Sequence, residues 1–207
     1  MHVPTPSPGR HHGATALLAR ALFVDLAGVL LDTAPAHGCQ AGLRAGAGMA
    51  LRLLDRLDYR IVVLTPCARD RRRASAVPLA RIADLLARER IQLAGAHCLY
   101  TACSAACPGA GAGAGTPCHG CVPAPGALLH AARDHGIDLA ASWLLAGGAQ
   151  HCTAGQHAGC RTLVVAGDGE RWPQLDTRGT AGAGPAVYMA RDIVDAALAI
   201  VRCDGDA

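Results

Sequence analysis

Four groups of residues in this 207-residue chain have types and spacings that chemistry can use. Asp25 closes the apolar run Ala21-Leu22-Phe23-Val24 and is followed by Leu26-Ala27-Gly28, which reads as a carboxylate at a buried strand end beside a glycine turn. Such a carboxylate can act as a nucleophile or ligate a hard cation; a lone Asp at a strand end also serves as a helix cap or turn residue. Thr65 closes a second apolar run, Ile61-Val62-Val63-Leu64, and brings a hydroxyl to another strand end. Ser142-Trp143-Leu144-Leu145 leads into Ala146-Gly147-Gly148-Ala149-Gln150-His151, a third strand end with a glycine turn and an imidazole. Cys103 and Cys107, then Cys118 and Cys121 with His119 between the last two, form two close pairs of thiols. Four thiolates so spaced suit tetrahedral Zn²⁺ in a closed, structural site, with His119 as an alternative ligand. The competing reading is a Cys-bearing loop that holds no metal, because the Gly/Ala tract between the pairs loses much entropy on ordering.

The elements that must position these groups alternate along the chain. Ala21–Asp25, 60–65, 96–101, 142–145 and Arg161–Val165 read as strands. Helical spacing marks 46–57, 77–90, Gly126–His135 and 190–202, with a shorter helix ending near Gly159. The apolar stripe falls on Met49, Leu53, Leu54 and Leu57 in the first helix, and on Leu79, Ile82, Ala83, Leu85 and Leu86 in the second. This order predicts an α/β fold, a doubly wound parallel sheet with helices on both faces and a Cys-rich loop. Ligands of such sheets bind at the carboxyl ends of the strands, where Asp25, Thr65 and the loop after Leu145 all fall. The expected organisation is a lead over 1–20, one domain over 21–202 with the Cys-rich segment at 103–121, and a tail at 203–207. His130, His135 and His157 show no ligand spacing and read as surface residues. Cys152, Cys160 and Cys203 read as small apolar fillers and Trp143 as core, while Cys67 lies near Thr65 at the expected pocket mouth.

Composition narrows the function classes. Hydrophobic residues make up 51% and aromatics only 3%, so the core rests on Leu, Val, Ile and Ala. The net charge of +3 is small. The basic run Arg69-Asp70-Arg71-Arg72-Arg73 has no aromatic residues interleaved for stacking on bases, which argues against a nucleic-acid surface. Arg20 and Asp25 interrupt the longest apolar stretch, which argues against a membrane helix. The Pro- and His-containing N-terminus has no apolar centre of a signal peptide, so the expected location is the cytoplasm and the ten Cys are expected reduced.

Several words of the sequence resemble one family in the right order. They are Ala21 to Leu30, Pro125-Gly126-Ala127-Leu128-Leu129, Gly136-Ile137-Asp138-Leu139-Ala140-Ala141-Ser142-Trp143, and Ala154-Gly155 with Ala158-Gly159-Cys160-Arg161-Thr162. The chain resembles the haloacid dehalogenase (HAD) superfamily, and within it the D-glycero-D-manno-heptose 1,7-bisphosphate and histidinol-phosphate phosphatases. The resemblance implies an aspartyl-phosphate mechanism with Asp25 as nucleophile, Thr65 at the phosphoryl oxygen, Mg²⁺, a phosphorylated sugar or similar anion as ligand, and a structural zinc loop.

The departures fall on the catalytic groups. Ala27 stands where the resemblance implies the general acid, and Pro66-Cys67 follow Thr65 in place of Asn-Gln. Cys121-Val122-Pro123-Ala124 carries neither Arg nor Lys where the family has both, and the chain has no Lys at all. Gly147 and His151 stand where the Mg²⁺-binding acids are expected, leaving only Asp25 and the Ala27 backbone for that ion. The expectation is a degenerate phosphatase-like protein acting in binding or structure. The alternatives are an active hydrolase of a sugar bisphosphate through Asp25, and a zinc-stabilised structural module.

Overall fold

The computed structural model describes residues 18–26, 28–32, 42–66, 77–99, 125–166 and 187–205. In chain order the elements are β1 (Ala21–Asp25), α1 (Ala47–Asp55), β2 (Arg60–Pro66), α2 (Leu79–Arg88), β3 (Leu93–Leu99), α3 (Gly126–His135), β4 (Trp143–Ala146), α4 (Ala149–Ala158), β5 (Arg161–Val165), β6 (Val187–Ala190) and α5 (Ile193–Gly205). The strands form one parallel sheet in the order β3-β2-β1-β4-β5-β6. The expected doubly wound α/β architecture is the one observed.

Alternation along the strands divides the interior in two. Leu22, Val24, Ile61, Val63, Leu145, Leu163 and Val165 pack with Leu51 and Leu54 of α1, Ile82 and Leu86 of α2, and Ile193 and Ile200 of α5. Ala21, Phe23, Val62, Leu64, Leu144 and Val164 pack on the other face with Leu128 and Ala131 of α3 and Cys152 and Ala154 of α4. Each fully buried Val, Leu or Ile contributes about 1.5–3 kcal/mol, so aliphatic side chains suffice for both cores.

The helices carry their own start and stop signals. Pro78 and Pro125 stand immediately before α2 and α3, where a missing N–H costs nothing. Gly136 ends α3 in the left-handed region, φ 60°, a conformation glycine adopts without the usual Cβ penalty. Ser142 then fixes the start of the sheet. Its Oγ accepts the Ala21 N–H at 2.9 Å and donates to the Asp138 carbonyl. The Gly136 to Trp143 word thus works by tying α3, β4 and β1 together.

Four readings from sequence are corrected. In α1 the buried stripe is Ala47, Ala50, Leu51 and Leu54, whereas Met49 is 56% exposed and Leu53 sits at the surface. Small Ala residues on that stripe let α1 lie against α5, a contact that counting large apolar residues misses. In α2 Leu79 is likewise exposed and only Ile82 and Leu86 are buried. β6 occupies Val187–Ala190, part of which reads as the start of a helix, and β3 begins at Leu93 rather than 96. Ala19 exchanges backbone hydrogen bonds with Gly136 and Asp138, both 2.9 Å, and α5 runs through Cys203 and Asp204.

Asp204 is held in place by charge. It accepts from Arg20 at 3.2 Å, from Arg161 at 2.9 Å and from the Tyr59 hydroxyl. The two guanidinium groups lie over the rings of Tyr59 and Trp143, 4.5 and 4.3 Å from the centroids. This knot closes the amino-terminal end of the sheet, opposite the strand ends that carry Asp25 and Thr65. No described helix is long and apolar enough to cross a membrane.

Candidate active site

The strand order puts a topological switch point between β1 and β4. The chain leaves β1 for α1 on one face of the sheet and leaves β4 for α4 on the other, so the loops diverge and open a crevice at the carboxyl ends. Asp25, the last residue of β1, sits at that crevice and is only 3% exposed. Strand pairing sets it beside Leu64 of β2, and the Leu26 N–H bonds to the Leu64 carbonyl at 2.9 Å.

A carboxylate this buried costs free energy unless hydrogen bonds replace its water. Two donors do so from the β4–α4 side. The Gly147 N–H reaches Asp25 Oδ2 at 3.3 Å, and His151 contacts the same oxygen through Nδ1. Because an ionised carboxylate only accepts, the imidazole nitrogen is the donor. His151 lies in the first turn of α4, whose positive dipole end also favours the Asp25 charge. Gly147 and His151, which the family resemblance sets at the places of the Mg²⁺-binding acids, therefore converge on Asp25.

The other face of the crevice is built by the chain leaving β1. The Leu30 N–H bonds back to the Asp25 carbonyl at 3.3 Å and Leu31 to Leu26 at 3.1 Å, with Leu31 bridging antiparallel to Leu43. Arg44 donates to the Gly28 carbonyl. This guanidinium enters the loop after Asp25 without a signal in sequence, where Arg44 merely follows Gly42-Leu43 ahead of a helix. Thr65 is half-buried at the end of β2. Alternation sets it on the Val24/Val63 face and Asp25 on the Phe23/Leu64 face, so the two flank the strand ends rather than share a face.

Ala27, Cys67, and the expected zinc ligands Cys103, Cys107, Cys118 and Cys121 with the alternative His119 all lie outside the described residues. Among the Cys residues that are described, Cys152 and Cys160 are buried. Burial raises the Cys152 thiol to about 11 and, with the Asp138 charge adding to it, the Cys160 thiol to about 12. Both are fillers, as expected, and not nucleophiles.

No family sequence model and no curated protein sequence matches the chain. Solved structures do match it. A protein of Mesorhizobium loti described as a HAD-like phosphatase superposes with a TM-score of 0.63 at 23% identity, over 90% of this chain and 87% of that one. The D,D-heptose 1,7-bisphosphate phosphatase of B. bronchiseptica, solved with magnesium and phosphate, gives 0.62 at 20% identity, over 88% and 98%. The cobalt-bound deoxy-D-mannose-octulosonate 8-phosphate phosphatase of Haemophilus influenzae gives 0.55 at 12% identity, over 90% and 86%. The fold is that of the HAD-like phosphatases.

The B. bronchiseptica neighbour was solved with magnesium, and the described side chains around Asp25 do not fit that ion. Mg²⁺ requires near-octahedral oxygen ligands at about 2.0–2.1 Å. Oδ2 of Asp25 is already engaged by His151, and the turn after β4 offers a glycine and an imidazole, a poor ligand for a hard cation. Among the described residues, no three His, Cys, Asp or Glu side chains converge as a metal site.

Proposed function

We propose that this chain retains the phosphatase scaffold without its turnover, and that it binds a phosphorylated sugar or similar anion at the carboxyl ends of β1, β2 and β4. The observation that supports this most is the engagement of Asp25. In-line attack on phosphorus needs a carboxylate oxygen that can approach it, whereas Oδ2 of Asp25 accepts from both Gly147 and His151. Ala27 adds to the case. Its methyl group cannot protonate a leaving alcohol, a role worth about 10²–10⁴-fold in rate. In this reading Asp25 holds the nucleophile position, Thr65 the phosphate-binding position, and Gly147 and His151 the positions of the lost acids. The Thr65 hydroxyl and the Arg44 guanidinium then face the anion.

Zinc in the Cys103, Cys107, Cys118 and Cys121 loop, with His119 as the alternative ligand, belongs to the same proposal as a structural element. The spacing of the two thiol pairs supports it. A location in the reducing cytoplasm, where those thiolates stay unoxidised, completes it.

The alternative reading is an active hydrolase: Asp25 attacks the phosphorus of a sugar bisphosphate, the ester P–O bond breaks, and the leaving alcohol takes its proton from His151, the one titratable side chain seen to touch Asp25 among the described residues. Titration of inorganic phosphate and of a sugar bisphosphate into the full chain, followed by calorimetry and thermal unfolding, tests the binding proposal. Saturable binding that raises the melting temperature and weakens in Arg44→Gln is the expected result. Absence of binding to both ligands overturns it.

A further inference from the structure

A pair of imidazoles at the edge of the sheet takes no part in the site above. His97 projects from β3, the edge strand, and His135 is the last residue of α3. Their Nε2 atoms stand 3.1 Å apart, with the ring planes at 87°. The approach depends on Gly95, since a Cβ there would lie 2.3 Å from His135 Nε2. The end of α3 is pinned as well, because Arg60 Nη1 donates to the His135 carbonyl at 2.6 Å. Neither residue has ligand spacing in sequence; only the packing of α3 on β3 brings them together.

We infer that His97 and His135 form a two-nitrogen site for a borderline transition-metal ion of the Zn²⁺, Ni²⁺ or Cu²⁺ class. A tetrahedral Zn²⁺ held at about 2.0–2.1 Å by two imidazoles separates their nitrogens by about 3.3 Å, so the 3.1 Å hydrogen-bonded contact gives up its shared proton, opens slightly and tilts until both lone pairs meet at the ion. Imidazole nitrogen selects these ions over Mg²⁺ and Ca²⁺. Ligation requires the neutral ring. Burial first, and then His135, lower the basicity of His97, with His130 acting in the same direction and Asp134 opposing. Asp134 also puts a negative charge within electrostatic reach of the bound cation. Water fills the remaining positions, so this site is open, unlike the closed four-thiolate site proposed for the Cys loop.

The test uses the full chain, titrated with Zn²⁺ and followed through long-range ¹H–¹⁵N spectra of the histidine rings and by calorimetry. The Nε2 resonances of two rings should move together in the wild type. His135→Gln, at a helix end where folding is least at risk, should remove that response and weaken the matching binding event more than tenfold. Binding confined to thiols with no pair of rings responding overturns the inference. So does an unchanged affinity in His135→Gln.

Discussion

His151 of α4 donates through Nδ1 to Oδ2 of Asp25 at the end of β1, joining the two sides of the switch point. The contact supplies a buried carboxylate with a donor and fixes the first turn of α4 over the strand ends. It also leaves Oδ2 of Asp25 shared between His151 and the Gly147 N–H.

His151→Ala should therefore destabilise the chain. Oδ2 of Asp25 would keep only the long bond from Gly147, at 3.3 Å, and a buried acceptor stripped of a partner costs about 1–3 kcal/mol. Urea denaturation measures the change. A loss below about 0.5 kcal/mol would show that the pair does not hold the fold together.

Gly155→Val should cost more. A Cβ at this α4 position would lie 2.6 Å from both Leu144 Cδ2 and Thr162 Oγ1, so the helix rests directly on β4 and β5. Forcing extra carbons into that contact costs about 1–3 kcal/mol or more. The melting temperature should fall by several degrees, and an unchanged value would contradict the packing described.

Stability should fall above pH 10. Burial, and then the hydrogen bond to Asp204, raise the Tyr59 hydroxyl from 10.0 to about 12, with Arg20 and Arg161 pulling the other way. A folded-state pKa above the unfolded value means a contribution that is complete below pH 10. It is lost as pH climbs from there through about 12. Cys160, also raised to about 12, acts with the same sign. Tyr59→Phe should be less stable at pH 7, for want of the Asp204 bond, yet should lose less stability between pH 9 and 11. Denaturant midpoints across that range measure both effects, and identical slopes in the two proteins would contradict the assignment.

Fold and site were not equally legible in the sequence. β-branched runs, Pro78, Pro125 and Gly136 marked strands and helix limits because their effects are local. Asp25 and the loop after Leu145 were marked by their place at strand ends, and Gly147 and His151 within that loop by the family resemblance. Their convergence was not, since it depends on β4 pairing with β1. The stripe of α1 was misplaced because Ala47 and Ala50, not Met49 and Leu53, face the core; close helix packing rewards small residues there. β6 was missed because Val187-Tyr188-Met189-Ala190 is short and barely β-branched. The approach of Arg44 to the Asp25 loop, and of His135 to His97, are tertiary contacts that no local pattern encodes.

The most direct test of the central claim is phosphate release. Wild type and Asp25→Asn would be incubated with Mg²⁺ and a panel containing heptose 1,7-bisphosphate, histidinol phosphate and other sugar phosphates. The account predicts no release above background from either protein. Release by the wild type that disappears in Asp25→Asn would contradict it, and would make Asp25 a working nucleophile with His151 in reach to carry the proton.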